Sequence, residues 1–535
     1  MANSHPEVRT MESSLWRNRK CLTVCTIVAI ANLQYGYDTS AIGSFQAMPG
    51  FLRVFGHPDK KSKNGYAIDS TFQQLISSLM TLGAFVSCLA AGTFSRYFGR
   101  KLALHVACVL SIISVVIQMV ATNKGLIYFG RILIGMANGF FATFSTIYLA
   151  EAAPAHQRGV FTALFKFWIQ LGNILGTLTV NYTSKRYNKS SYQIPLGCLL
   201  IIPTILLFAI SFFVPESPRY LLLRRKDQEA REAFDFLRAG SVDSEFVELE
   251  WVEMIRGRDE ESQQETKTSF WELFEGTNLR RTLLCYGTIA SQTGAGIWFV
   301  IAYQTYFFTI IGASKPFEYS LMNTCIGFAG CIIGMIAMRH FLGRRAQLGW
   351  GAFVSGVCHL VPAIIWTVKP DSSATVEIVV AFFALYYFCY GSTLGVATYS
   401  VASEVPSTRL RAMTLGTATS LGQLLAWLSS FCTPYFINPA RLHWGSKYQY
   451  IWAGSCFAIS VFYFSFLPET KGHSLEELDE LFINRVSVRD FPKREVMLLQ
   501  MAALEVQEKS RVDMFQGKTA SEVSQVEDIE HTSKL

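Results

Sequence analysis

Long apolar runs alternate with short polar segments along the whole chain. A bilayer core about 30 Å thick needs about 20 residues of helix to cross it, and twelve runs reach that length. They predict transmembrane helices at roughly 21–45, 71–94, 102–122, 125–149, 159–181, 193–214, 282–311, 319–339, 346–367, 374–402, 412–436 and 449–467. Gly294 and Gly296 interrupt the seventh run, which predicts a broken or bent helix there. The pattern indicates an all-α membrane protein with 12 transmembrane helices.

Two longer polar stretches divide these runs into groups. The domain plan that follows is a short N-terminus at 1–20, a six-helix half at 21–214, a linker with short helices at 215–281, a second six-helix half at 282–467 and a tail at 468–535. Within the linker, the patterning predicts helices over 228–239 and 245–255.

Three short motifs occur twice in the same order, each time after the corresponding run. They are Gly99-Arg100-Lys101 with Gly343-Arg344-Arg345, Glu151 to Arg158 with Glu404 to Arg411, and Pro215-Glu216 with Pro468-Glu469. The second and third pairs are both 253 positions apart. Repetition of this kind predicts two homologous six-helix halves. Parallel repeats of six spans are typical of secondary transporters that bind their substrate between the halves.

Composition supports a membrane protein and excludes several other classes. Half of the 535 residues are apolar and only 16% are charged, against about a quarter in a soluble protein. The twelve cysteines are scattered without metal-ligand spacing, and no nucleophile–base set or phosphate loop occurs,. We therefore expect no enzyme activity, no metal, no cofactor beyond a proton gradient and no nucleic-acid partner. The expected partners of a monomer are the bilayer and a small substrate.

Basic residues predict the orientation of the bundle. Loops on the side of both termini carry roughly twice as many Lys and Arg residues as the opposite loops, which places the termini in the cytoplasm. The sequons at Asn181 and Asn188 then fall outside the cell and are candidate glycosylation sites,. We expect a multi-pass protein of the plasma membrane.

Asp38 and Arg131 are the first candidates for a function inside the membrane. A carboxylate within a span is costly unless it has a partner or water, so it is a functional candidate. A nearby Arg keeps the pKa of such an acid low, and separating the pair raises it. If the two meet in one conformation only, protonation is coupled to transport. The alternatives are that Asp38 lies in the outer headgroup layer and that Arg131 reaches a headgroup.

The repeated charged motifs predict a cytoplasmic gate. Charges of both signs at helix ends are able to form a network when the two halves meet, and such a network favours the outward-open form. The alternative is ordinary interfacial charge that only fixes topology. The gate residues are Arg96, Arg100, Glu151, Arg158, Glu216, Arg219, Arg344, Glu404, Arg411 and Glu469.

Polar and aromatic residues inside the spans are candidates for a substrate site. Sugars need hydrogen-bonding partners at their edges and flat rings against their faces. An aromatic residue in a bundle this rich in Phe is nevertheless more often packing than ligand. The candidates are Lys166, Asn173, Gln292, Thr293, Trp298, Tyr303 and Tyr399.

Several motifs resemble the sugar porter family of the major facilitator superfamily over nearly the whole chain. The matching stretches are 36–39, 130–131, 148–159, 215–221 and 468–472. Those at 37–49, 303–308, 403–411, 434–439, 444–447 and 475–479 are most similar to fungal α-glucoside, maltose-type proton symporters. The resemblance implies the major facilitator fold. It also implies that Asp38 is the proton-linked acid, that Arg131 is its partner and that spans five, seven, ten and eleven hold the sugar.

The chain departs from the family pattern at the expected sugar site. Lys166 replaces the Gln of span five, Tyr399 the Trp of span ten and Ala426 the Asn of span eleven. In span seven, Gln292 is the only amide that the chain keeps from the family pattern, and Trp298 occupies the position of its last Asn. A lysine in the cavity is able to receive a carboxylated substrate, to pair with Asp38 or to contact water.

The function expected from these observations is a secondary active transporter. It imports a sugar, a hexose or an α-glucoside, with a proton by alternating access. Two alternatives remain: transport of a hydroxylated or carboxylated metabolite that is not a sugar, including its export, and a sugar sensor that does not transport.

Overall fold

The computed structural model confirms the predicted all-helical plan. It describes residues 18–59, 65–153, 158–239, 247–248, 250–252, 254–255, 270–370, 372–407, 410–471, 475–488 and 490–491. The first half contains α1 (Arg19–Phe45), α2 (Pro49–Phe55), α3 (Ser70–Val120), α4 (Lys124–Ala152), α5 (Arg158–Thr183), α6 (Ser190–Cys198) and α7 (Ile201–Phe213). A two-residue hairpin after α2 pairs β1 (His57–Pro58) with β2 (Tyr66–Ala67) in antiparallel fashion.

The linker and the second half follow in the same manner. The linker holds α8 (Pro218–Leu223), α9 (Asp227–Arg238) and a 3-10 turn at Phe270–Phe274, and the residues between 247 and 255 that the structure describes are helical. The second half contains α10 (Gly276–Gly294), α11 (Ile297–Ile310), α12 (Pro316–His340), α13 (Arg344–Val368), α14 (Ser373–Ser392), α15 (Leu394–Glu404), α16 (Arg411–Ile437) and α17 (Gln449–Phe466). A short tail helix, α18 (Leu475–Ile483), comes last.

Twelve spans are recovered, although several are broken. α3 holds spans two and three, which are separated at Gly99, where φ is 82°. α6 with α7 forms span six, α10 with α11 forms span seven, and α14 with α15 forms span ten. The predicted break in span seven lies at Gly296, whose φ of 82° favours glycine,. The break in span ten, near Thr393, was not predicted.

Seven helical segments in the described part of the chain are long and apolar enough to cross a membrane by composition alone. Four of the other five spans are α1, α5, α16 and the pair α10–α11. These carry Asp38, Lys166, Gln423 and Gln292, respectively. Several candidate functional residues therefore lie in spans with weaker hydropathy, although Arg131 and Tyr399 lie in two of the seven apolar ones. The spans with weaker hydropathy are kept in place by packing against other helices rather than by lipid exposure.

Backbone contacts fix the packing of α1 on α5. A Cβ atom at Gly36 would lie 2.0 Å from the Ile169 carbonyl oxygen, and one at Gly172 would lie 2.2 Å from the Leu33 oxygen. Both distances are far below van der Waals contact, so the two helices approach closely because these positions have no side chain. Across the halves, α1 contacts α11, α5 contacts α12 and α3 contacts α16.

The two ends of the bundle differ in how the halves meet. We call the end at Arg19, Ala152 and Glu404 the termini side, and the end at Phe45 and Ile310 the opposite side. Helices α9 and α18 both lie on the termini side. Arg238 of α9 contacts the end of α4, and Asp479 of α18 pairs with Arg281 of α10, which contacts the residue after α15.

Buried hydrogen bonds join the two halves on the opposite side. The Gln46 amide donates to Ser77, and Gln73 donates to Gln46 over 2.9 Å. Asn438, from the second half, donates to the Gln73 oxygen over 3.1 Å and to the Tyr306 hydroxyl over 3.3 Å. All of these side chains are buried. This end of the interface is closed by uncharged groups.

Candidate functional site

Asp38 and Arg131 form a buried ion pair inside the first half. The Arg131 Nη1 atom lies 2.7 Å from Asp38 Oδ1, and the two side chains are 1% and 0% exposed. Both side chains are enclosed by protein, which does not favour the alternatives of Asp38 in the headgroup layer and Arg131 at a headgroup. Because α1 continues seven residues beyond Asp38, the carboxylate lies within the span rather than at its end.

Two further groups complete the surroundings of this pair. The Asn138 amide donates to Asp38 Oδ2 over 3.3 Å, and Arg131 Nε donates to the Ile76 carbonyl oxygen over 2.9 Å. Each carboxylate oxygen thus has a donor, which is what a buried charge requires. Sequence reasoning missed Asn138. Its signal was present, because it follows Arg131 by seven residues and so lies on the same face of α4.

On the termini side, the motif charges of the first half converge on two carboxylates. Arg100 Nη2 lies 2.7 Å from Glu151 Oε1, and the Ser217 hydroxyl donates to the other oxygen of Glu151. Glu216 accepts the backbone N–H groups of Arg100 and Lys101, each over 3.1 Å. Burial raises the pKa of Glu216, and these hydrogen bonds oppose that rise,.

The second half repeats this arrangement with equivalent residues. Arg344 Nη2 lies 2.7 Å from Glu404 Oε1, and the Thr470 hydroxyl donates to Glu404 Oε2 over 2.8 Å. Glu469 accepts the backbone N–H groups of Arg344 over 2.8 Å and Arg345 over 3.1 Å. The internal repeat deduced from three motifs is therefore also a repeat of contacts.

The cytoplasmic gate stays a prediction. The Arg100–Glu151 and Arg344–Glu404 pairs each lie within one half, so in this structure they do not bridge the halves. The Arg96 and Arg158 side chains lie outside what the structure describes. Arg219 and Arg411 both have interaction partners. A network between the halves stays a prediction for the outward-open conformation.

Two arginines that sequence reasoning missed attach the linker and the tail. Arg238 of α9 donates to the Ala152 carbonyl oxygen over 2.9 Å and pairs with Glu250. Arg281 of α10 donates to the Val405 carbonyl oxygen over 2.8 Å and pairs with Asp479 of α18.

The two contacts correspond to each other along the chain. Ala152 and Val405 directly follow Glu151 and Glu404, the repeated motif glutamates. We call these contacts the arginine clamps.

Side chains from both halves meet in the interior between the two ends. The Tyr35 hydroxyl of α1 lies beside the Gln423 amide of α16. The Phe165 ring of α5 lies edge to face with Tyr399 of α15, at 6.5 Å between centroids. Tyr399 is 37% exposed although these contacts place it inside the bundle. It therefore borders open space between the halves, as a substrate-contacting residue would.

The polar candidates of α5 share one face of the helix. Lys166 and Asn173 are separated by seven residues, with Gln170 between them, and the Asn173 amide donates to Gln170 over 2.9 Å,. Asn173 Oδ1 is buried without a partner in the described part of the chain. Lys166 is half-buried. It does not pair with Asp38, whose oxygens are held by Arg131 and Asn138.

The candidates of span seven divide into two groups. Gln292 Nε2 is buried without a partner among the described residues, and Thr293 and Trp298 flank the break at Gly296. Tyr303 differs, because it is fully buried and its hydroxyl donates to the Ser430 carbonyl oxygen over 2.6 Å. The structure places Tyr303 in packing rather than in a binding surface.

The two sequons differ in presentation. Asn181 is half-buried in the last turn of α5, whereas Asn188 is exposed in the turn before α6. Glycosylation stays a prediction, and Asn188 is the better acceptor. No group of metal-ligating side chains occurs among the residues that the structure describes.

Comparison with known proteins agrees with this geometry. A protein-family model described as "Sugar (and other) transporter" matches residues 24–482. The major facilitator-type transporter ecdD of Aspergillus rugulosus is 29% identical over 484 residues, which cover 88% of this chain and 89% of that protein. The low-affinity glucose transporter HXT3 of Saccharomyces cerevisiae is 30% identical over 476 residues, which cover 86% and 82%.

Solved structures show the same fold. The partially occluded inward-open xylose transporter XylE from E. coli matches with a TM-score of 0.69 and 18% identity, over 85% of this chain and 100% of that chain. The proton:xylose symporter XylE bound to 6-bromo-6-deoxy-D-glucose matches with a TM-score of 0.68 and 20% identity, over 87% and 99%. The twelve-span architecture with two six-helix halves is the major facilitator fold.

Proposed function

Because this chain belongs to the sugar porter family of the major facilitator superfamily, we propose that it imports a sugar in symport with a proton by alternating access. The observation that carries the proton coupling is the buried Asp38–Arg131 pair. A fully buried ion pair with a single acid is costly to break, at about 3–5 kcal/mol when one partner is removed. The presence of such a costly pair in a transporter is explained if the pair breaks and re-forms during the transport cycle.

The coupling follows from what each protonation state permits. In this conformation Asp38 is sealed from water and both of its oxygens are occupied. A proton reaches it only when Arg131 has moved away, and a protonated Asp38 no longer holds Arg131. Proton binding from outside and release inside are thereby linked to the two conformations. A membrane potential contributes about 2.3 kcal/mol per charge per 100 mV to uptake.

The two ends of the bundle support an inward-facing conformation. The excess of Lys and Arg on the termini side favours a cytoplasmic location for that side,. The halves are hydrogen-bonded to each other on the opposite side, whereas the motif pairs of the termini side stay within their halves. This is the arrangement of an inward-facing carrier, which returns outward once its proton and substrate have left.

A hexose or an α-glucoside is the substrate class that the relatives support. HXT3 is named as a glucose transporter, and XylE as a xylose symporter. Gln292 Nε2 and Asn173 Oδ1 offer a donor and an acceptor that no described protein group uses. A hydroxylated substrate satisfies both, because each of its hydroxyls donates one hydrogen bond and accepts others.

The test is uptake of labelled glucose and maltose into cells that lack their own sugar carriers, at mildly acidic external pH. We expect the wild type to accumulate one of them above the external concentration, and a proton uncoupler to abolish accumulation. Asp38→Asn keeps the shape of the side chain but cannot ionise. Accumulation against the sugar gradient should therefore be lost, while movement of sugar down its own gradient persists. Glu377→Gln is the matched control, because Glu377 is an exposed carboxylate in α14.

Two results would overturn the proposal. Accumulation by Asp38→Asn at the wild-type level would remove the proton-coupling role of Asp38. No uptake of either sugar, with the protein present at the cell surface, would reject sugar import.

A further inference from the structure

Lys166 is a cation deep in a span that has no acid beside it. It lies eight residues inside the first residue of α5, which places it roughly 12 Å along the helix axis. In the part of the chain that the structure describes, its ammonium has neither an ion-pair partner nor a hydrogen-bond acceptor. The other deep charges, Asp38 and Arg131, neutralise each other.

The surroundings of Lys166 place it where the halves meet. Its neighbours in sequence contact the second half, since Phe165 meets Tyr399 and the Phe167 ring lies 5.4 Å from that of Phe328 of α12. Cys331, one turn further along α12, lies close to the ammonium. Lys166 is thus on the side of α5 that faces the other half, in line with the polar atoms of Gln170 and Asn173.

An unpaired ammonium in such a place calls for a negative partner. Burying a charge without a counter-ion is costly, and the cost disappears when an anion with hydrogen-bond acceptors reaches it. Asp38 cannot serve, because Arg131 and Asn138 hold its oxygens. An anion that pairs with Lys166 would therefore come from outside the described protein groups, and the substrate is the molecule that enters between the halves.

We propose that Lys166 binds the carboxylate of the substrate, so that the preferred substrate is a sugar acid rather than a neutral sugar. This inference rests on the proposed function and narrows its substrate class. The hydroxyls of the sugar acid meet the amide groups of Asn173 and Gln292, and the carboxylate forms a charge-assisted hydrogen bond with the Lys166 ammonium.

The charge of the substrate changes the electrical signature of transport. A neutral sugar that enters with one proton carries one positive charge inward. A monoanion that enters with one proton carries no net charge, so its uptake responds to the pH gradient and not to membrane potential. This readout is independent of how tightly either compound binds.

The experiment compares labelled D-glucose with labelled D-glucuronate, which differ only in that a carboxylate replaces the terminal hydroxymethyl group. Glucuronate is ionised at mildly acidic pH because ordinary carboxyl groups have a pKa of about 4. Both compounds are supplied to cells expressing the full chain, and surface protein is quantified with an epitope tag. The variants are Lys166→Gln, which removes the charge, and Lys166→Arg, which keeps it.

We expect the wild type to prefer glucuronate, with uptake that generates no current. Lys166→Gln should lower the glucuronate-to-glucose ratio by about tenfold to a hundredfold, the range of one charge-assisted hydrogen bond. Lys166→Arg should retain most of the preference, which also guards against a variant that fails to fold.

Three outcomes would contradict this inference. If the wild type takes up glucose and glucuronate neither enters nor competes, the sugar-acid inference is wrong while sugar transport stands. If the ratio is unchanged in Lys166→Gln, Lys166 does not read the carboxylate. If neither compound enters while maltose does, the sugar-acid inference is wrong and the proposed function stands; if maltose does not enter either, both fail.

Discussion

The two halves of the molecule agree at one end and differ in the interior. On the termini side, each half pairs an arginine with a motif glutamate at 2.7 Å, at Arg100–Glu151 and Arg344–Glu404. In the interior, the first span of the first half carries Asp38, which is paired with an arginine. The first span of the second half carries Ser291, whose hydroxyl bonds to that of Tyr463.

This difference separates two tasks. Contacts that both halves share hold helix ends together while each half moves as a body, and this task is the same in both. A charged contact that only one half possesses is a candidate for the proposed proton coupling, which needs one acid and not two. Asymmetry between repeats is therefore a guide to the coupling site, and symmetry is a guide to the moving framework.

The largest effect is expected where the asymmetry is greatest. Arg131→Gln leaves Asp38 buried without its counter-ion, which costs about 3–5 kcal/mol. We expect a marked loss of thermal stability in detergent and no accumulation of substrate. The double variant Asp38→Asn/Arg131→Gln removes both charges, so it should regain most of the stability and still fail to accumulate substrate.

Ser291→Ala is the matched change in the second half. It removes two neutral hydrogen bonds, those of the Ser291 hydroxyl with Thr288 and Tyr463, each worth about 1 kcal/mol, and should leave accumulation intact. Equal losses in Arg131→Gln and Ser291→Ala, or a double variant no more stable than Arg131→Gln, would contradict the distinction between a coupling half and a structural half.

Hydrophobic periodicity predicted the twelve spans to within a few residues because the bilayer sets the length of each helix. The break at Gly296 was predicted from its glycines, whereas the break near Thr393 was not, although Gly391 and Gly395 lie two residues to either side of it. The repeated motifs located Glu216 and Glu469, since helix-end charges recur at fixed offsets. Local sequence carries such information directly.

Contacts between distant segments were harder to predict. The Gln73–Asn438 hydrogen bond joins residues 365 positions apart, and neither residue lies in a repeated motif. Arg238 and Arg281 were counted only as topology-setting charge. Tyr303 was assigned to the substrate site from its type, whereas its orientation toward Ser430 depends on how α11 packs on α16. Periodicity gives a face of a helix but not the neighbour that covers it.

A middle-sized effect is expected from the symmetric pairs. Glu151→Gln and Glu404→Gln each remove the charge that holds one arginine, at a cost of about 1–3 kcal/mol. The first pair is 9% and 11% exposed, the second 21% and 18%. Solvent weakens the more exposed Arg344–Glu404 pair. Loss of the more buried Arg100–Glu151 pair in Glu151→Gln should therefore slow initial uptake more than the change Glu404→Gln. Uptake rates corrected for surface protein measure both.

The double variant shows whether the pairs act separately. Pairs that stay within their own halves should give additive losses in stability. Strong non-additivity would instead mean that the two networks touch in part of the transport cycle, as the gate predicted from the sequence requires.

The smallest effect is expected at the arginine clamps, which hold peripheral helices. Arg238→Lys and Arg281→Lys keep the charge but lose the forked contact to a backbone carbonyl and an acid together. Each should free one helix, so hydrogen exchange should rise in α9 for Arg238→Lys and in α18 for Arg281→Lys, with little change in accumulation. Exchange that rises in both helices in either variant would show that linker and tail are coupled to each other. An unchanged exchange rate in α18 in Arg281→Lys would mean that apolar packing holds the tail in place without the guanidinium of Arg281.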